Sequence, residues 1–127
     1  MNKFKTLSEI HKKLGISRKA IQGYEKHGLV SPCGKDKYGH LIYDEKTVER
    51  IVKIRFYQKL GFSVHEVKEL FYQDENQLKT VLNNKKEETG EMILSLQRRC
   101  YLLEHLICDD GKPDIEFMIE EIKEVNK

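Results

Sequence analysis

Apolar residues recur along this chain mostly at helical spacing. Leu7, Ile10 and Leu14 mark a short amphipathic helix, opened by Thr6-Leu7-Ser8-Glu9, a hydroxyl followed three residues on by a carboxylate. Gly15 ends it, because glycine enters a left-handed C-cap without steric cost. Ser17 caps a second helix running through Ala20, Ile21 and Tyr24 to about His27, with Gly28 as its stop. Two short helices joined around Leu14-Gly15-Ile16 make a helix-turn-helix unit. Leu29-Val30 and Leu41-Ile42-Tyr43 are brief β-prone runs separated by Pro32, Gly34, Asp36 and Gly39, which predicts a small hairpin, a wing. Asp44 then caps a longer helix with apolar residues at Val48, Ile51, Val52, Phe56 and Leu60, closed by Gly61. Ser63-Val64-His65-Glu66 repeats the capping box and starts a helix to about Tyr72.

Polar residues from Gln73 to Gln77 make a break. Beyond it Ile93, Leu96, Cys100, Leu103 and Ile107 follow a 3, 4, 3, 4 spacing, a heptad seam. Leu82 extends the seam backwards, with Lys86, Thr89 and Gly90 weakening its first half. One helix cannot bury such a stripe alone, so the pattern predicts a dimer. Asp109-Asp110-Gly111 is a stop, and Pro113 is suited to begin a last helix, amphipathic through Ile115, Met118, Ile119 and Ile122. The expected fold is therefore mainly α: a winged helix-turn-helix head at 1–72, a long dimerisation helix at 73–108 and a short C-terminal effector or interaction helix at 109–127.

The length of 127 residues suits one domain with an appended element. Hydrophobic residues at 39% and charged residues at 35% exclude collagen-like and mucin-like chains. No run approaches the roughly eighteen apolar residues of a membrane span, and Met1-Asn2-Lys3-Phe4-Lys5 leads into no signal core. Three cysteines without paired spacing point to the cytoplasm. The net charge of +2 conceals an asymmetry. Residues 1–72 carry 15 Lys and Arg against 8 Asp and Glu, a net +7, whereas residues 73–127 carry 8 against 13, a net −5.

The basic front half suggests a polyanionic partner. Ser17-Arg18-Lys19 stands at the start of the second helix, where a major-groove reader presents its side chains, and Gln22 lies one turn on. Arginine and lysine there can reach phosphates or guanine edges, and glutamine an adenine edge. A solvated basic face is the plain alternative for one helix. Yet Lys35 and Lys37 recur on the hairpin, and Arg55 and Lys59 on the next helix before Gly61-Phe62-Ser63. Cations on three elements of one small domain suit a phosphate-tracking surface.

The order of these elements resembles the MerR family of transcription regulators. The matching segments run from Ile16-Ser17-Arg18-Lys19-Ala20-Ile21 through Tyr24-Glu25-Lys26-His27-Gly28-Leu29-Val30-Ser31-Pro32. They continue through Gly39 to Tyr43, Val48-Glu49-Arg50-Ile51 and Leu60-Gly61-Phe62-Ser63-Val64-His65-Glu66-Val67-Lys68-Glu69-Leu70. The resemblance implies a homodimer held by an antiparallel pair of long helices. It implies binding to a palindrome in an overlong promoter spacer, which the dimer distorts so that RNA polymerase engages both promoter elements. By position, Arg18 and Lys19 would meet the major groove and Tyr24 a phosphate, although Tyr24 could equally be core. Lys35, Lys37 and Tyr43 would come from the wing, and Ser63 with neighbouring amides would clamp a phosphate. Two departures stand out. Gln22-Gly23-Tyr24-Glu25 replaces an Arg-aromatic-Tyr-Glu run, and Gly39-His40-Leu41-Ile42-Tyr43 lacks the arginine common after Gly-Tyr.

Some members of that family sense thiophilic metals through cysteines at the start of the dimer helix or in a loop after it. Here Cys100 and Cys108 lie eight positions apart on one helix, about 12 Å, too far to share an ion within one chain. His105 and Cys108 share a helical face, but two ligands make no metal site, and Cys33 falls on the wing. Cys100 reads as a small hydrophobe in the seam. The expectation is no metal, no cofactor and no enzyme, since neither a phosphate loop nor a nucleophile–base arrangement is present. The competing reading is a coiled-coil protein-interaction module whose head has lost DNA affinity.

Overall fold

The computed structural model describes residues 4–112 and 114–125. Pro113, expected to open the last helix, lies outside the described residues. The chain divides into two units, residues 1–78 and 79–127.

The first unit begins with β1 (Phe4–Thr6), α1 (Leu7–Leu14) and α2 (Arg18–Lys26). The wing strands β2 (Gly34–Lys35) and β3 (Leu41–Asp44) follow, then α3 (Glu45–Lys59) and α4 (Val64–Leu70). The local chemistry read from the sequence operates at the helix starts. Thr6 and Glu9 form a reciprocal capping box, as do Ser63 and Glu66, and Asp44 accepts the Thr47 N–H at 2.8 Å. The turn between α1 and α2 is held by Gly15, at φ +70°, and by His11, whose Nδ1 donates to the Ile16 carbonyl at 2.8 Å. Helix α2 closes on Gly28, at φ +74°. The Gly28 N–H bonds to Glu25 O and the Leu29 N–H to Tyr24 O, both at 2.9 Å, a pairing that demands a left-handed residue.

That closure explains one correction. Leu29-Val30, expected as a wing strand, is irregular and buried, because the Leu29 N–H caps α2 and its carbonyl accepts Arg50 Nε at 2.6 Å. The hairpin pairs Gly34 with Ile42 and Lys35 with Leu41 instead. The sequence reading also missed β1, which pairs antiparallel with β3 in the register Phe4–Asp44, Lys5–Tyr43 and Thr6–Ile42. The sheet order is therefore β1-β3-β2.

Ile10, Ile21, Tyr24, Tyr43, Ile51, Ile54 and Val67 fill the core. Helix α3 buries Ile51 and Ile54, while Val52, Phe56 and Leu60, apolar positions of the same stretch, are exposed at 43%, 59% and 42%. Helix α3 is apolar on two sides, so its inward face depends on what packs against it and not on period alone.

In the expected break, Asp74 and Gln77 exchange backbone-to-side-chain bonds of 3.1 and 2.8 Å and start α5 (Glu75–Cys108) at once. Helix α5 continues unbroken through Thr89 and Gly90. Asp110 and Gly111, at φ +55° and +74°, reverse the chain, and α6 (Ile115–Val125) returns against α5. Phe117 stacks on the His105 ring at 4.3 Å, and Arg98 pairs with Glu121.

Candidate nucleic-acid interface

Helix α2 turns Ile21 and Tyr24 into the core. The same rotation leaves Arg18, Lys19 and Gln22 exposed on its outer side. Ser17, also exposed, caps the helix by accepting the Ala20 N–H at 3.0 Å. Arg18 does not extend freely: its Nη2 donates to the Ser8 hydroxyl of α1 at 3.2 Å.

The wing tip is organised by Asp36. Its Oδ1 accepts the N–H groups of Tyr38 and His40 at 2.9 Å each, and Oδ2 lies 3.4 Å from His40 Nδ1. The amide of His40, then that of Tyr38 and the neighbouring imidazole, hold the Asp36 carboxyl below its ordinary value. This rigid turn displays Lys35 and Lys37, both exposed, with the Lys37 ammonium 5.1 Å from the Tyr38 ring centroid.

Two tyrosines lie deeper than a DNA-contacting role requires. Tyr43, expected at the interface, is fully buried and donates its hydroxyl to Glu25 of α2. Burial, then the adjoining carboxylate, raises its pKa. Strand β3 lies between β1 and β2, and its inward-facing position here is that of Tyr43. Tyr24, for which core and phosphate contact were both open, is also core. Its hydroxyl donates to Gln58, and burial raises its pKa against the opposing charge of Arg55.

Arg55 and Lys59 are exposed on α3, where they line a groove with Leu14, Ile16, Val52 and Phe56. At Ser63 the backbone N–H and the hydroxyl oxygen are both engaged by Glu66 in the capping box. The Ser63 N–H donates to Glu66 Oε1 at 2.9 Å, and its Oγ accepts the Glu66 N–H at 3.1 Å. The structure brings Arg18 beside the wing turn, where Thr6, Ser8, Gly39 and His40 join it around a groove of about 470 Å³. Ser8 and His40 escaped the sequence reading. Only the turn signal of Asp36 and Gly39 hinted that His40 would be held in place.

In the second unit Leu82 is half-buried and Cys100 exposed, while Ile93, Leu96, Leu103 and Ile107 are 52%, 53%, 58% and 73% exposed. All three cysteines are free, and among the described residues no three His, Cys, Asp or Glu side chains are grouped to hold a metal. No helix among them is long and apolar enough to cross a membrane.

A helix-turn-helix with exposed cations on its second helix and on the adjoining hairpin defines a winged helix-turn-helix DNA-binding module. The family model described as MerR HTH family regulatory protein matches residues 5–74, and the chain belongs to that family of DNA-binding transcriptional regulators. A probable heavy metal-dependent transcriptional regulator of Haemophilus influenzae is 32% identical over 101 residues, covering 80% of this chain and 78% of that protein. The HTH-type transcriptional regulator HmrR of Sinorhizobium medicae is 31% identical over 126 residues, covering 92% and 86%. These relatives are named as regulators, not enzymes. Among solved structures, the N-terminal part of the Bacillus subtilis multidrug transporter activator, MtaN, superposes with a TM-score of 0.70 at 19% identity, covering 81% of this chain and 97% of that one. HiNmlR, a MerR family regulator lacking the sensor domain and bound to promoter DNA, superposes with a TM-score of 0.61 at 22% identity, covering 83% and 84%.

Proposed function

We propose that two copies of this chain bind a palindromic promoter spacer as a homodimer and distort it to control transcription. The observation that carries the reading is the display of Ser17, Arg18, Lys19 and Gln22 on the outer side of α2, with Lys35 and Lys37 exposed on the wing. Side chains on such a helix can enter a major groove, while wing lysines meet phosphates. Dimerisation rests on the α5 stripe of Ile93, Leu96, Leu103 and Ile107, each more than half exposed in one chain. Two heads related by a two-fold axis require two half-sites, which is why the site is a palindrome. RNA polymerase is engaged through the reshaped promoter. The promoter-bound state of HiNmlR supports the same use of this fold. Cys100 packs in the seam as a small hydrophobe, and the cytoplasm is the compartment in which such a regulator works.

The test is retardation of a duplex that the wild-type protein selects from a randomised 40-bp pool, at moderate salt. A complex with two chains per duplex, and a bend detected by circular permutation of the site, is the expected result. A dimer that retards no duplex would overturn the DNA reading and leave α5 as the core of a protein-interaction module.

A further inference from the structure

The Arg18–Ser8 bond changes what Arg18 can do. A side chain at the start of a groove-reading helix is free to reach a base edge only if it points along the helix end into the groove. Here the guanidinium is drawn sideways to α1, into the 470 Å³ groove that separates the start of α1 from the wing turn.

We propose that this groove seats one DNA backbone phosphate, gripped from two elements by Arg18 of α2 and His40 of the wing, with the Ser8 hydroxyl between them. The proposal rests on the DNA-binding reading and specifies one contact within it. Arg18 has five N–H donors, of which one goes to Ser8, so the fork keeps a face for a tetrahedral anion. Ser8 accepts from Arg18 and retains its own hydroxyl proton to donate. His40 is tethered through Nδ1 to Asp36, leaving Nε2 without a hydrogen-bond partner among the described residues, and in the imidazolium form both ring nitrogens donate, one to Asp36 and the other to the phosphate. Its backbone is fixed by the Asp36 turn, so little conformational freedom is lost on binding.

Two carboxylates stand near the groove, and both are committed. Glu9 is bound into the Thr6 capping box and Asp36 into the wing turn. Lys19 and Gln22, which line no part of this groove, are left as the sequence readers of α2.

The experiment measures binding of wild type, Arg18→Ala, His40→Ala and Lys19→Ala to the selected 40-bp duplex. Single uncharged methylphosphonates replace each phosphate of one half-site in turn, and each base pair is also exchanged in turn. At one phosphate, neutralisation should weaken wild type and Lys19→Ala about tenfold, while Arg18→Ala and His40→Ala lose less than twofold more. Arg18→Ala should keep the wild-type ranking of base-pair exchanges. An Arg18→Ala protein that stays sensitive to every methylphosphonate but becomes indifferent to one base pair would overturn the phosphate seat and make Arg18 a base reader. Sensitivity to the same phosphate in His40→Ala as in wild type would remove His40 from the grip and overturn the two-element seat. Failure of wild type to retain any duplex would be a different result, one that overturns DNA binding itself.

Discussion

The hydroxyl of Tyr43 on β3 donates to the carboxylate of Glu25 on α2, joining the inner strand of the wing to the recognition helix. Both surfaces proposed to meet DNA therefore share one part-buried polar link, beneath a tyrosine ring that is fully enclosed. Tyr43→Phe keeps the packing and leaves a half-buried carboxylate without its donor. The expected cost is about 1–3 kcal/mol, read as a lower urea midpoint at unchanged slope. An unaltered midpoint would mean that Glu25 is equally well served by water.

Gly23 sits within α2 in an ordinary helical conformation, and a methyl group added there meets no atom within 4 Å. Gly23→Ala should stabilise the head by about 1 kcal/mol through helix propensity and the unfolded chain. Calorimetry should record a rise of a few degrees. A fall would reveal a neighbour that the free space at Gly23 does not include.

Asp44 titrates against the fold. The N–H of Thr47, then its hydroxyl and the nearby Lys46 charge, lowers the Asp44 carboxyl below its ordinary 3.8. A depressed folded value means that its stabilisation is complete above 3.8 and disappears as pH falls through the lower folded value. Asp44→Asn retains an acceptor for the cap but cannot titrate. The stability difference between pH 6 and pH 3 should therefore narrow in this variant, and an unchanged acid limb would contradict the assignment.

Features set by near neighbours in sequence were legible beforehand. Thr6 with Glu9, Ser17, Asp44, and Ser63 with Glu66 each announce a helix start within four residues, and each makes the expected bond. Features set by distant partners were not. Strand β1 is three residues long, too short to display a period, and exists because β3 offers an edge. Tyr43 looked available for DNA because alternation alone does not say which side of β3 faces α2. The return of α6 brings Arg98 to Glu121, 23 positions away, with Nε to Oε2 at 3.1 Å. Arg18 was legible as a candidate contact; its tie to Ser8 was not.

The proposed dimer seam is open to a direct challenge. Leu96→Lys and Leu103→Lys together would put four charges into the α5 pair, a desolvation that an apolar seam cannot compensate. Sedimentation velocity should find a monomer that retains its helical content. A double variant sedimenting as a dimer would move the interface elsewhere on the chain.

DNA binding through the recognition helix and the wing together is tested most directly by the salt dependence of Lys37→Ala. Lys37 is exposed at the wing tip, and a dimer carries it twice. Each neutralised phosphate contributes about −0.9 to the slope of log Kobs against log salt. The variant should bind the selected duplex and a scrambled one more weakly by the same factor, with the slope flatter by about two units per dimer. A wild-type slope in Lys37→Ala would contradict the account, because the wing would then hold no phosphate.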